Sequence, residues 1–241
     1  FFLALSINVG VHGMVTSFKS TFVEWLENRI FADYYINITN KTRFNELEAI
    51  VKKYDGEIYP IIKNEASYVN KPVEVYGFRP SIVYEENWPL LRHTKDVWKE
   101  IRNGEIIFIS EQFSIREDIK LNDFLTLEIN GENLNIRVGG IYADYGNSRN
   151  QLMMPLNLYK RFFPSQIPNT IAVKFDPRNS LSFFNDLTTN VEIVSETIIN
   201  PQQVRKISLE IFDNTFKISF QLALITLVVA SFTLYTNLIS V

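Results

Sequence analysis

Residues 218–241, ISFQLALITLVVASFTLYTNLISV, carry no charged side chain. A membrane-spanning helix needs roughly 20 predominantly apolar residues, so this run is long enough to cross a bilayer with some tilt. A core helix of a globular protein rarely runs so far without a charge. Just upstream, Asn200-Pro201 reads as a helix start: Asn caps, Pro takes the first helical position, and Gln203 completes a capping-box-like pattern. Val204, Ile207, Ile211 and Phe212 then recur at helical spacing, and Phe216 leads into the apolar run. At 1.5 Å per residue, residues 201–217 would stand roughly 25 Å off a membrane as a stalk.

The other end mirrors this. Phe1 to Val15 is apolar but shorter, and it holds Asn8 and His12. No basic flank precedes it and no small-residue cleavage site follows, so it reads as the end of a spanning helix rather than a signal peptide. The chain starts inside one apolar run and stops inside another, and is expected to be a piece of a longer protein. His12 is expected to be a packed polar residue in a helix bundle. Beyond it, Phe18, Phe22, Trp25, Leu26 and Ile30 fall on one helical stripe, with Glu24, Glu27 and Arg29 largely off it. Two stalks are therefore expected, with Phe18, Phe22, Trp25 and Leu26 facing Val204, Ile207, Ile211, Phe212 and Phe216. A charge introduced at Ile211 would then fall in the seam. The same stripes also read as plain core, and packing and coupling do not exclude one another.

Between the stalks the periods change. Tyr34 to Thr39 reads as a strand, Phe44 to Tyr54 as a helix with Phe44, Leu47, Ile50 and Val51 on one face, and Glu57 to Ile62 as a second strand. The order recurs in a strand at Thr170 to Phe175, a helix at Leu181 to Leu187 and a strand at Val191 to Val194. Two such units, one beside each stalk, suggest a split α/β domain whose halves pair in space. The intervening segment carries a hairpin: Leu125, Leu127 and Ile129 alternate, Asn130-Gly131 turns, and Leu134, Ile136 and Val138 alternate back. Ile106 to Ser110 and Gln151 to Pro155 supply further strands, and Gly139-Gly140 marks a bulge or bend.

Several chemistries are disfavoured. There is no Walker-type loop, no G-x-S-x-G elbow, no H-E-x-x-H and no dinucleotide fingerprint. With no cysteine, there is no disulfide, thiolate nucleophile or cysteine metal site. His12 and His93 are the only histidines, and His93 reads as a surface residue. Glu85-Glu86, Asp123 and Asp144 read as members of a solvated face. Asn37-Ile38-Thr39 matches a glycosylation acceptor, a triplet common by chance. With 24 basic against 27 acidic residues, charge makes no case for nucleic acid. The 19 phenylalanines fit packing, and they fit equally a grip on apolar ligands such as acyl chains or hydrophobic peptides.

A set of local motifs appears in order along nearly the whole chain: Ser17-Phe18…Trp25-Leu26…Arg29…Ala32-Asp33-Tyr34-Tyr35, then Ile107-Phe108-Ile109-Ser110-Glu111, then Leu121-Asn122-Asp123-Phe124-Leu125-Thr126-Leu127. Val138-Gly139-Gly140-Ile141-Tyr142-Ala143-Asp144-Tyr145-Gly146, Met153-Met154-Pro155-Leu156 and Ile211-Phe212-Asp213-Asn214-Thr215-Phe216 follow. This order resembles the MacB/FtsX-type permeases of ABC transporters, which include the lipoprotein-releasing LolC/LolE proteins and larger permeases built of two such halves. Asn122 stands where that family usually has Gly.

The resemblance implies an α+β fold: a split α/β subdomain like the family's "Porter" (residues 33–76 and 165–199) and an inserted mainly-β subdomain like its "Sabre" (77–164). Residues 1–32 and 200–241 would form the flanking stalk and transmembrane helices. It further implies no catalysis and no cofactor in this chain. ATP-driven motion of a separate ATP-binding subunit would be relayed through the stalks to move a cell-envelope substrate (mechanotransmission). Implied partners are that subunit, a second permease half or a second copy, membrane lipid, and a periplasmic adaptor, carrier or lipoprotein. The implied location is the bacterial cytoplasmic membrane with the middle domain outside it, an orientation resting on the resemblance because the positive-inside rule fails for loops this long. The alternative reading is the ligand-sensing domain of a two-span receptor such as a sensor kinase.

Overall fold

The computed structural model describes residues 2–38, 41–190 and 198–239. The chain divides into a helical unit, made of residues up to Glu27 and from Gln202 onward, and a globular unit, Asn28–Pro201.

The helical unit consists of α1 (Phe2–Arg29) and the last helix, α8 (Pro201–Ile239). They run antiparallel: Asn8 Nδ2 reaches Thr226 Oγ1 at 3.5 Å, the His12 ring lies 5.5 Å from Phe220, and Lys19 Nζ lies 2.5 Å from Asp213 Oδ1. By length and composition, α8 is the one helix among the described residues able to cross a membrane. The first apolar run is helical as expected.

In the globular unit, β1 (Tyr34–Asn37), α2 (Lys41–Lys53) and β2 (Glu57–Tyr68) come first. β3 (Lys71–Phe78), α3 (Ile82–Asn87), β4 (Leu90–His93), α4 (Val97–Asn103), β5 (Ile106–Ser110) and α5 (Glu111–Arg116) follow. Then come β6 (Phe124–Ile129), β7 (Glu132–Tyr142), β8 (Gln151–Pro155), α6 (Leu156–Phe162), β9 (Thr170–Lys174), α7 (Ser180–Asn190) and β10 (Ile198–Ile199). The fold is α+β. The expected strand at Val191 to Val194 and the residue Thr39 lie outside the described residues.

The strands form one sheet in the order β10-β1-β9-β2-β3-β8-β5-β7-β4, with β6 pairing β2 and β7. The split pairing read from the sequence is present. β9 lies between β1 and β2, antiparallel to both, with Tyr35 opposite Ala172 and Ala172 opposite Tyr59. Helices α2 and α7 cover this part, packing Leu47, Val51, Phe183 and Leu187 against Ile36, Ile171 and Val173. Each such side chain, fully buried, contributes about 1.5–3 kcal/mol.

β2 is longer than the sequence suggests. Its first residues, Glu57 to Ile61, pair with β9, and Ile62 to Tyr68 continue into a hairpin with β3. The turn, Val69-Asn70, holds both residues at positive φ (49° and 60°). This is the left-handed geometry of tight hairpins, but Val is a poor resident there, so no turn signal marks it. The division expected between residues 76 and 77 falls inside β3.

At β5 and β8 the sheet is buried on both faces. In β5, Ile107 and Ile109 enter one core with Phe113 and Tyr159 from α5 and α6. Ile106 and Phe108 enter the other with Tyr84 and Ile101 from α3 and α4. This is the period-two alternation of a central strand. These four helices, none longer than two turns, are too short to show a helical period. The Asn130-Gly131 hairpin forms as read, with φ of 52° and 82°. At Gly139 the β5–β7 register slips by one residue, and a Cβ there would lie 2.1 Å from Ile106 Cδ1.

Candidate functional site

In the helical unit an aromatic seam joins α1 and α8. Phe18 lies 5.3 Å from Phe212 and 5.9 Å from Phe216, and Phe22 stacks on Phe212 at 5.3 Å. Trp25 stacks on Phe22 at 5.7 Å, and Trp25 and Leu26 are buried. Such ring pairs add about 0.5–1.5 kcal/mol each beyond the area they bury. The seam thus unites Phe18, Phe22, Trp25, Phe212 and Phe216. Val204 is half-buried. Ile207 and Ile211, by contrast, are 51% and 61% exposed, whereas Phe212 is 8% exposed. The less exposed positions of α8 continue through Phe216, Ser219, Ala223, Leu227 and Ala230, spaced by three and four. Ile211 sits one residue, about 100° of helix, away from that line. The expectation that a charge at Ile211 enters the seam is therefore corrected: the seam residue is Phe212.

The globular unit contains an aromatic-walled cavity of about 260 Å3 lined by Arg29, Phe31, Tyr35, Tyr84, Trp88 and Met153, among others. Tyr84 is its hub, 5.1 Å from Phe31, 5.0 Å from Phe78 and 5.5 Å from Trp88. Burial, then neighbouring Tyr35, hold its hydroxyl above the usual phenol range, so it stays protonated. The Arg29 guanidinium lies over the Trp88 ring, with Cζ 4.1 Å from the centroid, and its Nη2 is 3.7 Å from Asp144 Oδ2. Arg29 Nη1 and Trp88 Nε1 are buried without a hydrogen-bond partner. An unsatisfied buried donor costs about 1–3 kcal/mol, and more when charged.

Asp144 was expected on a solvated face. Instead it is buried, with Oδ1 accepting from the Gly146 N–H at 2.9 Å and Oδ2 turned to Arg29. A loop that supplies a backbone donor and a nearby cation removes most of the reason for a carboxylate to stay in water. Asp123 accepts from the Lys120 N–H, and Glu85 pairs with Arg102. His93, at the end of β4, is exposed beside the Thr94 carbonyl.

Glu74 is the other buried carboxylate. It is met by Lys63 Nζ at 2.8 Å, Asn147 Nδ2 at 2.9 Å, Arg149 Nη1 at 3.1 Å, Tyr76 OH at 3.1 Å and Gln151 Nε2 at 3.2 Å. Burial pushes its carboxyl up, but donation from Lys63, Gln151 and Tyr76 outweighs it and holds the group below its ordinary range. With its acceptor capacity filled, Glu74 fastens β3 to β2 and β8 rather than offering a base. Among the described residues no cluster of His, Asp or Glu is arranged to hold a metal ion.

No protein-family model matches the chain, and no curated protein matches it. Among solved structures, the periplasmic region of MacB from Actinobacillus actinomycetemcomitans aligns at 14% identity and a TM-score of 0.49, covering 73% of this chain and 91% of that one. The extracellular domain of the noncanonic ABC-type transporter YknZ from Gram-positive bacteria aligns at 12% identity and a TM-score of 0.47, covering 70% and 98%.

Proposed function

We propose that the chain is the extracytoplasmic domain and membrane anchor of an ABC-transporter permease half. In this reading it performs no catalysis of its own and relays motion from a separate ATP-binding subunit. The observation that carries the reading is α8, which runs unbroken from Pro201 to Ile239, about 58 Å at 1.5 Å per residue. Its apolar end is suited to a bilayer, and its first turns carry an aromatic seam with α1. A helix with no break and a packed partner transmits displacement along its axis. The ordered motifs from Ser17 to Phe216 support the same reading. The work would be movement of a cell-envelope substrate, with the globular unit in the periplasm or outside the cell. A second permease half or second copy would complete the assembly.

The cavity beside Arg29, the last residue of α1, favours a second reading, a ligand-sensing domain between two spans. One experiment separates them. The natural protein is purified from its own membranes in mild detergent, and what accompanies it is identified by mass spectrometry. A companion subunit with a Walker motif, and ATP hydrolysis by the complex, would support the permease. A kinase domain on the same polypeptide, with no ATPase companion, would overturn it in favour of the sensor.

A further inference from the structure

The sheet ends at β4, whose only strand partner among the described residues is β7. In an antiparallel ladder, successive residues turn their N–H and C=O groups alternately toward the partner strand and away from it. The Thr94 N–H donates to the Gly139 carbonyl at 2.9 Å, so Thr94 faces β7 and His93, next to it, turns its main-chain groups outward. At the other end the Pro89 carbonyl accepts from the Ala143 N–H at 3.0 Å, so Leu90 turns outward too. The Leu90 N–H goes to the Trp88 carbonyl at 2.8 Å, which leaves the Leu90 carbonyl open. An edge with open main-chain groups is a template for one more strand. Leu91, Arg92 and His93 are all exposed, so the edge is reachable.

The side chains along this edge select the strand that fits. Arg92, Lys95 and Lys99 are exposed, and none of them enters an ion pair among the described residues. The stretch from Leu91 to Lys99 holds one acid, Asp96, against these three cations, in a chain whose net charge is -3. Like charges meeting across a ladder repel, and the register slip between Leu90 and Arg92 bends the strand. Both features keep the edge from pairing with a second copy of itself. The same cations attract a strand that carries carboxylates. Leu91, 46% exposed, adds an apolar contact among them. We infer that the open edge of β4 takes an acidic, extended segment of a partner polypeptide as an added strand. Main-chain hydrogen bonds attach it, and Arg92 and Lys95 choose it. The inference holds for a permease and for a sensor alike.

The probe is a short peptide alternating glutamate and valine, labelled with fluorescein. It is titrated by anisotropy into the full chain in nanodiscs of zwitterionic lipid, with empty nanodiscs as the blank. One saturable site per chain is expected, weakening as salt is raised. Two further peptides, methylated on the glutamate or on the valine main-chain nitrogens, keep every charge. One of them loses the donors that face β4 and should bind about tenfold more weakly. The double variant Arg92→Glu, Lys95→Glu should weaken the unmethylated peptide about tenfold or more. Its melting temperature should not change, because both side chains are exposed. Absence of saturable binding to the wild-type chain overturns the inference. So does equal affinity of all three peptides, which would leave charge attraction without an added strand, or unchanged affinity in the double variant. Dimerisation of the chain in detergent that the peptide displaces would assign the edge to a second copy, and overturns it as well.

Discussion

The Arg29 guanidinium lies flat against Trp88, 4.1 Å from the ring centroid, while reaching toward the buried Asp144. Removing the cation leaves that carboxylate in a poorly solvated place with one backbone donor. Arg29→Met, which keeps the bulk of the side chain, should lower stability by about 2 kcal/mol, less than for a tight buried pair because the contact is long and partly solvated. For a unit of this size that is a fall in melting temperature of about 4–8 °C. An unchanged melt would show that the stacking is inert.

Phe212 and Ile211 are neighbours in sequence with opposite expected sensitivities. Phe212→Asp places a charge among Phe18, Phe22 and Phe216, at a desolvation cost of several kcal/mol. Under the proposed function it should uncouple ATP hydrolysis from transport. Ile211→Asp, on the open side of α8, should leave both activities close to wild type. Assays of ATPase and transport in reconstituted complexes decide it, and the reverse ranking would refute the seam as the relay.

Gly139 admits no side chain. A Cβ there would meet Ile106 Cδ1 at 2.1 Å and its Cβ at 2.8 Å. Gly139→Ala should cost about 1–3 kcal/mol through overpacking. Ile106→Ala, costly alone, should suppress part of that penalty when combined with it, and a double-mutant cycle in denaturant measures the coupling.

Glu74 predicts a pH dependence. Its carboxyl is held below its ordinary 4.5 in the folded chain, so its contribution is complete above that value. The contribution is lost as pH falls through the depressed one. Glu74→Gln should flatten this acid limb of stability, measured as melting temperature between about pH 3 and 6. An acid limb as steep as the wild type's would assign it to other groups.

What the sequence made legible was local. Asn200-Pro201 announced α8, Asn130-Gly131 announced the β6–β7 hairpin, and the segments Ile106 to Ser110 and Gln151 to Pro155 read as strands, whose burial on both faces only the structure shows. Ring contacts joined Phe18, Phe22 and Phe212 because aromatic side chains at helical spacing have few other places to go. Ile207 and Ile211 misled because apolar residues on this helix occupy more than one stripe, and only the partner helix selects among them. The β2–β3 hairpin escaped because Val69-Asn70 reaches a left-handed turn without glycine. The cavity escaped for a different reason. Arg29, Tyr35, Ile61, Phe78, Trp88 and Met153 come from six separated segments, and each reads alone as core or surface.

β2 belongs to both parts of the sheet, edge to edge with β9 at one end and β3 at the other. No linker lies between Ile61 and Ile62, so there is no hinge at which the two parts can swing. The mainly-β part is a graft without a scar: it can be lengthened at its loops, but not cut out and moved to another scaffold without severing a ladder of backbone hydrogen bonds. The globular unit should accordingly respond to a pull or a bound molecule as one plate, with its give confined to the rim.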